Sequence, residues 1–204
     1  MKSDGGVRRA AVFLDRDGTI NEDPGWISDP AQVRLFRGVP EALRRLRQLE
    51  FLLIVVSNQS GVARGLLTFD QVERVNRRVF ELAGIEPDRF YYCPHHPTEG
   101  SGPFTTACSC RKPATGMVLR GIREFDLDPG HSFMIGDSEV DVACGKGAGV
   151  TTALVRTGLG DRTLEKIRAG VLDPPDHVAA DLEAAVDWIS SRVSKGRARV
   201  KRSD

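Results

Sequence analysis

Asp15 and Asp17 stand one residue apart, directly before Gly18, where the apolar run Ala10–Leu14 stops. Two carboxylates that close repel each other unless a cation or a shared proton intervenes. Such a pair suits divalent-cation binding and a division of nucleophilic and acid–base work. A bare Asp-x-Asp also fits a solvated acidic turn, so the rest of the chain has to decide. Further polar clusters follow other apolar runs: Ser57-Asn58-Gln59-Ser60-Gly61 after Phe51–Val56, and Asp137 with Glu139 and Asp141 after Ser132–Ile135. Lys112 lies just ahead of an expected helix. Carboxylates, a hydroxyl–amide pair and a lysine converge around something that balances charge, and a divalent cation with a phosphate does so.

Each residue type has a place in phosphoryl transfer. Asp15, the backbone carbonyl of Asp17, and Asp137 offer hard oxygen ligands for Mg²⁺. With the charge neutralised, the Asp15 carboxylate can attack phosphorus and form an aspartyl phosphate. Asp17 would protonate the departing alkoxide and later deprotonate the hydrolytic water. Ser57 and Lys112 would hold the phosphate oxygens. Glu139 and Asp141 fit local roles at a helix N-terminus better than metal ligation.

Three of the four cysteines, Cys93, Cys108 and Cys110, share one stretch with His95 and His96. Cys93-x-His95, twelve residues, then Cys108-x-Cys110 supplies four ligands, enough to close a tetrahedral Zn²⁺ site. A closed site leaves no position for substrate, so its role would be to pin a Gly/Pro-containing loop and deliver Arg111 and Lys112. Spacing leaves His96 open as the alternative ligand. Cys144 stands apart and reads as a small buried apolar residue. His131 and His177 flank expected strands and read as structural.

Positioning these groups takes alternating strands and helices. Ala10–Leu14 is too short for a helix and reads as a buried strand. Gly18–Phe36, with Pro24, Gly25 and Pro30, reads as an overhang above the acidic turn. Val39, Ala42, Leu43, Leu46 and Leu49 keep helical spacing, with Pro40 in the first turn. Strand Phe51–Val56 follows, then a helix capped by Thr68 and closed by Gly84, and strand Phe90–Tyr92. Further on come a helix to about Phe125 that Thr115 can cap, strand Ser132–Ile135, a helix from about Val140 to Gly147 and strand Thr151–Val155. Strand Val178–Ala180 and helix Leu182–Ile189 finish the chain. The pattern predicts an α/β fold: a three-layer, doubly wound, mostly parallel sheet with helices on both faces, in one domain over residues 1–191. No span is long enough for an inserted cap domain. The basic segment 192–204 is expected to fray.

At 204 residues, 40% hydrophobic and 28% charged, the composition is that of a globular protein. A formal net charge of +1 gives no broad attraction to nucleic acid or acidic membranes. Met1–Arg9 holds no apolar segment like that of a signal peptide, and Phe51–Val56 is far too short to span a bilayer. The expectation is a cytoplasmic monomer without nucleic-acid or membrane partners. A zinc-bearing nucleic-acid module using the basic tail is the competitor from another class.

Asp15-Arg16-Asp17-Gly18-Thr19-Ile20-Asn21, Ser57-Asn58-Gln59-Ser60-Gly61, Arg111-Lys112-Pro113 and Gly136-Asp137 together resemble the four motifs of the haloacid dehalogenase phosphatase superfamily. Tyr91-Tyr92-Cys93-Pro94-His95-His96-Pro97 and Cys108-Ser109-Cys110 narrow the resemblance to its subgroup of heptose-bisphosphate and histidinol-phosphate phosphatases. The resemblance covers about Val12 to Gly158. It implies a Rossmann-like core and hydrolysis of a phosphate monoester, foremost the 7-phosphate of a heptose 1,7-bisphosphate, with histidinol phosphate as the alternative substrate. It implies Asp15 as nucleophile, Asp17 as proton donor, Mg²⁺ on Asp15, Asp17 and Asp137, and phosphate contacts from Ser57 and Lys112. It takes His95 as the zinc ligand with Cys93, Cys108 and Cys110. Substrate recognition would come from Asn58, Gln59, Ser60, Arg111 and the overhang residues Asp23, Pro24, Gly25 and Trp26. Trp26 could stack on a sugar or anchor the overhang. The subgroup usually carries lysine after the Asp137 position, where this chain has Ser138.

Overall fold

The computed structural model of the chain describes residues 8–200, with side chains to residue 194. β1 (Ala11–Leu14) is buried throughout because both of its faces are covered, the condition under which a strand reads as continuous hydrophobicity. After it come α1 (Val39–Gln48), β2 (Leu52–Asn58), α2 (Phe69–Ala83), β3 (Arg89–Cys93), α3 (Gly116–Glu124), β4 (Phe133–Gly136), α4 (Glu139–Gly147), β5 (Thr151–Val155), α5 (Gly160–Arg168), β6 (His177–Ala179) and α6 (Leu182–Val200). The strands form one sheet in the order β3-β2-β1-β4-β5-β6, every pair parallel. The order reverses at β1, which lies between β2 and β4. In open parallel sheets that switch point, at the carboxyl ends of the strands, is where ligands bind.

Alternating side chains along β1 feed two cores. Val12 and Leu14 pack with Leu43 and Leu46 of α1, Val75 and Val79 of α2, and Val186 and Ile189 of α6. Ala11 and Phe13 pack on the opposite face with Met117 and Val118 of α3 and Cys144 of α4. The three-layer, doubly wound architecture is the one expected. Between β1 and α1 the overhang holds a single 3-10 turn, Pro30–Gln32, and no helix or strand lies between β3 and α3.

Local chemistry sets several boundaries. Thr68 caps α2 reciprocally with Gln71: its hydroxyl accepts from Gln71 N at 3.2 Å and Gln71 Oε1 accepts from Thr68 N at 2.8 Å. Gly84 ends that helix in the left-handed region at φ 64°. Thr115 differs from expectation: its backbone is already helical, and its side chain makes no capping hydrogen bond. α5 escapes the sequence reading because its core-facing side is Thr163 with half-buried Leu164 and Ile167, too thin a stripe to show periodicity. α6 passes Ile189 and carries the first part of the basic segment to Val200, with Val193 still packed on the core. Residues 201–204 of that segment lie outside the described residues. None of the described helices is long and apolar enough to cross a membrane.

Candidate active site

Asp15 directly follows β1, Ser57 and Asn58 close β2, and Asp137 directly follows β4. All four therefore reach one rim, at the switch point. The cavity there is lined by Asp15, Arg16, Asp17, Ser57, Asn58, Gln59, Lys112, Asp137 and Ser138, with Asp23, Gly25 and Trp26 above them. The other candidates lie differently. Ser60 is buried, its carbonyl accepting from Arg64 N at 3.2 Å. Arg111 turns its guanidinium to the His95 carbonyl at 3.2 Å, and Pro24 is exposed between two cavity residues. Trp26 is 45% exposed beneath Arg64, whose guanidinium carbon stands 5.4 Å from the ring centroid.

Lys112 is buried between two carboxylates: its Nζ lies 2.7 Å from Asp15 Oδ1 and 2.6 Å from Asp141 Oδ1. Asn58 fixes the lysine backbone, donating to the Lys112 carbonyl and accepting from its N–H, both at 3.0 Å. That side chain is thereby spent on holding Lys112. Burial disfavours the ammonium, but Asp141 and Asp15 outweigh it and raise the Lys112 pKa. Asp141 does more than the helix-end role expected of it. One of its oxygens accepts from Ser138 N at 3.1 Å and from the Ser138 hydroxyl, completing a capping box on α4, while the other meets Lys112.

Asp15, Asp137 and Asp141 offer oxygens that all lie within 4.8 Å of one another. Burial pushes the Asp137 carboxyl up to about 7, with Asp141 adding to it. Asp15 is also held well above the usual carboxylate range, first by burial and then by Asp141 and Asp137, against the pull of Lys112. Asp15 and Asp137, crowded, buried and resisting ionisation, fit a hard divalent cation, which would relieve both. Two glycines let the chain close around Asp137. A Cβ on Gly18 (φ 83°) or on Gly158 (φ 55°) would fall 2.1 Å from Asp137 Oδ2. Leu159 N donates to the same oxygen at 2.7 Å.

Asp17 faces elsewhere. The chain bends at Arg16 between the two aspartates, and Asp17 is not in the group of carboxylates with Asp15, Asp137 and Asp141. Four N–H groups meet the Asp17 carboxylate: Arg16 Nε at 2.9 Å, Arg16 Nη2 at 2.6 Å, Asn21 Nδ2 at 2.9 Å and Gln59 Nε2 at 2.8 Å. Burial alone would raise its pKa, but Arg16, Asn21 and Gln59 outweigh it and hold the carboxyl below its ordinary value. Gln59 also donates to Ser57 Oγ at 2.8 Å, which links the acid–base candidate to the phosphate-binding candidate. Arg16 Nη1 in turn meets Asn76 Oδ1 of α2 at 2.5 Å. Asn76 Nδ2 is buried and has no hydrogen-bond partner among the described residues, a state that costs about 1–3 kcal/mol.

The cysteine loop forms a second cluster. Cys93 Sγ lies 3.5 Å from His95 Nδ1, 3.5 Å from Cys108 Sγ and 3.2 Å from Cys110 Sγ. Cys110 Sγ lies 3.3 Å from Cys108 Sγ and 3.5 Å from His95 Nδ1. These separations are far beyond a disulfide and suit ligands around one tetrahedral ion. His96 lies outside the cluster, with its Nδ1 accepting from Glu99 N at 2.8 Å. The remaining isolated residues are structural in placement. His177 stacks on Trp188 at 4.5 Å, His131 pairs with Asp128 at 2.7 Å, and Cys144 is buried with its thiol pushed up to about 12.

Arg16, Asn21 and Asn76 are the site residues that the sequence reading passed over. Their signal was present: a polar residue at 76 interrupts the apolar stripe Val72, Val75, Val79 of α2.

Comparison with known proteins places this arrangement. The HAD-hydrolase-like family model matches residues 109–185. The chain is 46% identical over 154 residues to D-glycero-beta-D-manno-heptose-1,7-bisphosphate 7-phosphatase of Pasteurella multocida, covering 74% of this chain and 83% of that protein. It is 38% identical over 193 residues to D-glycero-D-manno-heptose-1,7-bisphosphate 7-phosphatase of Thermosynechococcus vestitus, covering 91% and 98%. Among solved structures it resembles D,D-heptose 1,7-bisphosphate phosphatase from B. bronchiseptica, complexed with magnesium and phosphate. There the TM-score is 0.79 at 30% identity, over 90% of this chain and 99% of the other.

Proposed function

The chain belongs to the D-glycero-D-manno-heptose-1,7-bisphosphate 7-phosphatases of the haloacid dehalogenase superfamily, and from this we propose that it removes the 7-phosphate of that sugar bisphosphate through an aspartyl phosphate on Asp15. The observation that carries the reading is the buried Lys112 held against Asp15 at the carboxyl end of β1. Asp15 attacks phosphorus as the bond to the C7 oxygen breaks. Asp17, a carboxylate in the free chain, takes up a proton from solvent as the phosphate dianion enters, gives it to that oxygen, and regains one from the water that cleaves the acyl phosphate. Lys112 and Ser57 hold the phosphoryl oxygens in place. When bound, Mg²⁺ on Asp15, the Asp17 carbonyl and Asp137 neutralises charge on the phosphate oxygens. Zn²⁺ on Cys93, His95, Cys108 and Cys110 supplies the cross-link that holds the loop preceding Arg111 and Lys112.

Asp23, Gly25 and Trp26 overhang the cavity and are the residues placed to meet the sugar. Ser138 stands in the cavity wall at the position where the family resemblance leads one to expect lysine, so that substrate contact falls to other groups. The unpaired cysteines suit a reducing, cytoplasmic compartment, and the enzyme acts as a monomer. Histidinol phosphate is set aside because relatives matching most of the chain carry the heptose name.

The test is phosphate release from the heptose 1,7-bisphosphate with Mg²⁺, followed by phosphorus NMR. Loss of the C7 signal with the C1 signal retained is expected. Cleavage at C1, or turnover of histidinol phosphate tenfold faster, would overturn the reading.

A further inference from the structure

We propose that Arg16 and Asn76 are positioning residues that hold the Asp17 carboxyl, with Asn76 on α2 as the fixed point of the chain. The proposal rests on the role given to Asp17 above.

Arg16 is a charged side chain only 2% exposed, and all three of its nitrogens are engaged. Two of its nitrogens grip both Asp17 oxygens, at 2.9 and 2.6 Å, and the third reaches Asn76. A guanidinium fork on a carboxylate fixes both direction and plane, which a lone ammonium does not. Arg16 and Asp17 are neighbours in a bend at the head of a loop, so their pairing alone leaves the couple free to turn together. Asn76 removes that freedom, because it sits on the buried face of a helix packed into the sheet. The other partners of Asp17, Asn21 and Gln59, come from the loops after β1 and β2. Asn76 is the partner in this network that refers the acid–base group to the helix layer.

The orientation of the Asn76 amide supports a purpose. Arg16 can only donate, so Asn76 must turn its oxygen to it, and its own Nδ2 is then left buried without a partner. An aliphatic residue would continue the stripe of Val72, Val75 and Val79 without that orphan. The fold therefore accepts an unfavourable group at this position to give Arg16 an acceptor, as sites with a function do.

The test measures kcat and KM on the sugar bisphosphate, with melting temperature, for Asn76→Leu, Asn76→Asp, Arg16→Lys and Asp17→Asn in the full chain. Asn76→Leu is expected to lower kcat by at least roughly tenfold with KM nearly unchanged, while melting temperature falls only a few degrees, because Arg16 loses one acceptor as the Asn76 orphan is removed. Asn76→Asp keeps an acceptor and is expected to recover most of that loss. Arg16→Lys, losing the fork but not the charge, is expected to fall like Asn76→Leu. The proposal is overturned if Asn76→Leu and Arg16→Lys keep kcat, if KM moves instead, or if Asn76→Asp is as poor as Asn76→Leu. Asp17→Asn separates the two readings. Full activity in that variant removes the role of Asp17 itself, whereas inactivity beside an active Asn76→Leu removes only the inference about Asn76.

Discussion

Lys112 Nζ lies 2.6 Å from Asp141 Oδ1, and each side chain is about 1% exposed. An ammonium buried this deeply stays charged because Asp15 and Asp141 stand against it. Removing one partner from such a pair costs far more than the pair contributes. Lys112→Met is therefore expected to destabilise the protein by about 3 kcal/mol and to abolish phosphate release. Lys112→Arg is expected to fail too, since the burial leaves no room for the larger head. Chemical denaturation with a phosphate-release assay checks both.

Asp15→Asn is expected to cut turnover by at least about 10³-fold. The fold should survive in the variant, because Lys112 keeps Asp141 as a carboxylate partner. A phosphate mimic such as trifluoroberyllate should form an adduct on the parent and none on the variant. Turnover by the variant within tenfold of the parent would exclude the covalent route.

Protein freed of Mg²⁺ with its zinc retained should lose stability as pH rises. Asp15 and Asp137 keep their protons in the folded chain to higher pH than in the unfolded chain, Asp137 to about 7. A folded pKa raised above the unfolded value contributes stability at low pH that disappears as pH climbs through the folded value. The melting temperature should be several degrees higher at about pH 5 than at about pH 8, and Mg²⁺ should close the gap at the higher pH. A melting temperature that rises toward about pH 8 without Mg²⁺ would contradict this.

Gly18→Ala should be costly out of proportion to one methyl group. The position has φ 83°, and the added Cβ would fall 2.1 Å from Asp137 Oδ2. A loss of about 1–3 kcal/mol and at least tenfold weaker activation by Mg²⁺ are expected in a titration of turnover against the cation.

Cys108→Ser should remove one thiolate from the Cys93–His95–Cys108–Cys110 cluster. The expected results are less than one zinc per chain by metal analysis, a lower melting temperature, and a fall in kcat because Lys112 loses its approach. Unchanged zinc content and melting temperature would show that the loop is held by something else.

Much of this was legible in the chain itself. Asp15 and Asp137 end apolar runs, and the run length makes each a buried strand whose end is a rim. Cys93, Cys108 and Cys110 declare themselves by residue type, while spacing leaves His95 and His96 open, because adjacent residues differ in direction rather than in spacing, and the family resemblance picks His95. What stayed hidden was dual use. Asp141 caps α4 with one oxygen and faces Lys112 with the other, and a helix-end acid looks the same either way in sequence. Asn58 reads as a substrate contact by its place, yet its amide is spent on the Lys112 backbone. Arg16 reads as a spacer between two aspartates, since burying a guanidinium requires Asn76, 60 residues away. α5 was missed because Leu164 and Ile167 make too little of a stripe.

Lys112 enters the rim two residues after Cys110, on a stretch with no helix or strand of its own. The sheet therefore sets where phosphorus meets Asp15, while a thiolate knot outside the sheet governs whether the ammonium arrives. Turnover and global folding can then part company: oxidising or alkylating those sulfurs would leave a chain with native circular dichroism and an idle catalytic centre, which makes thiol damage a failure that spectroscopy of the fold would not register.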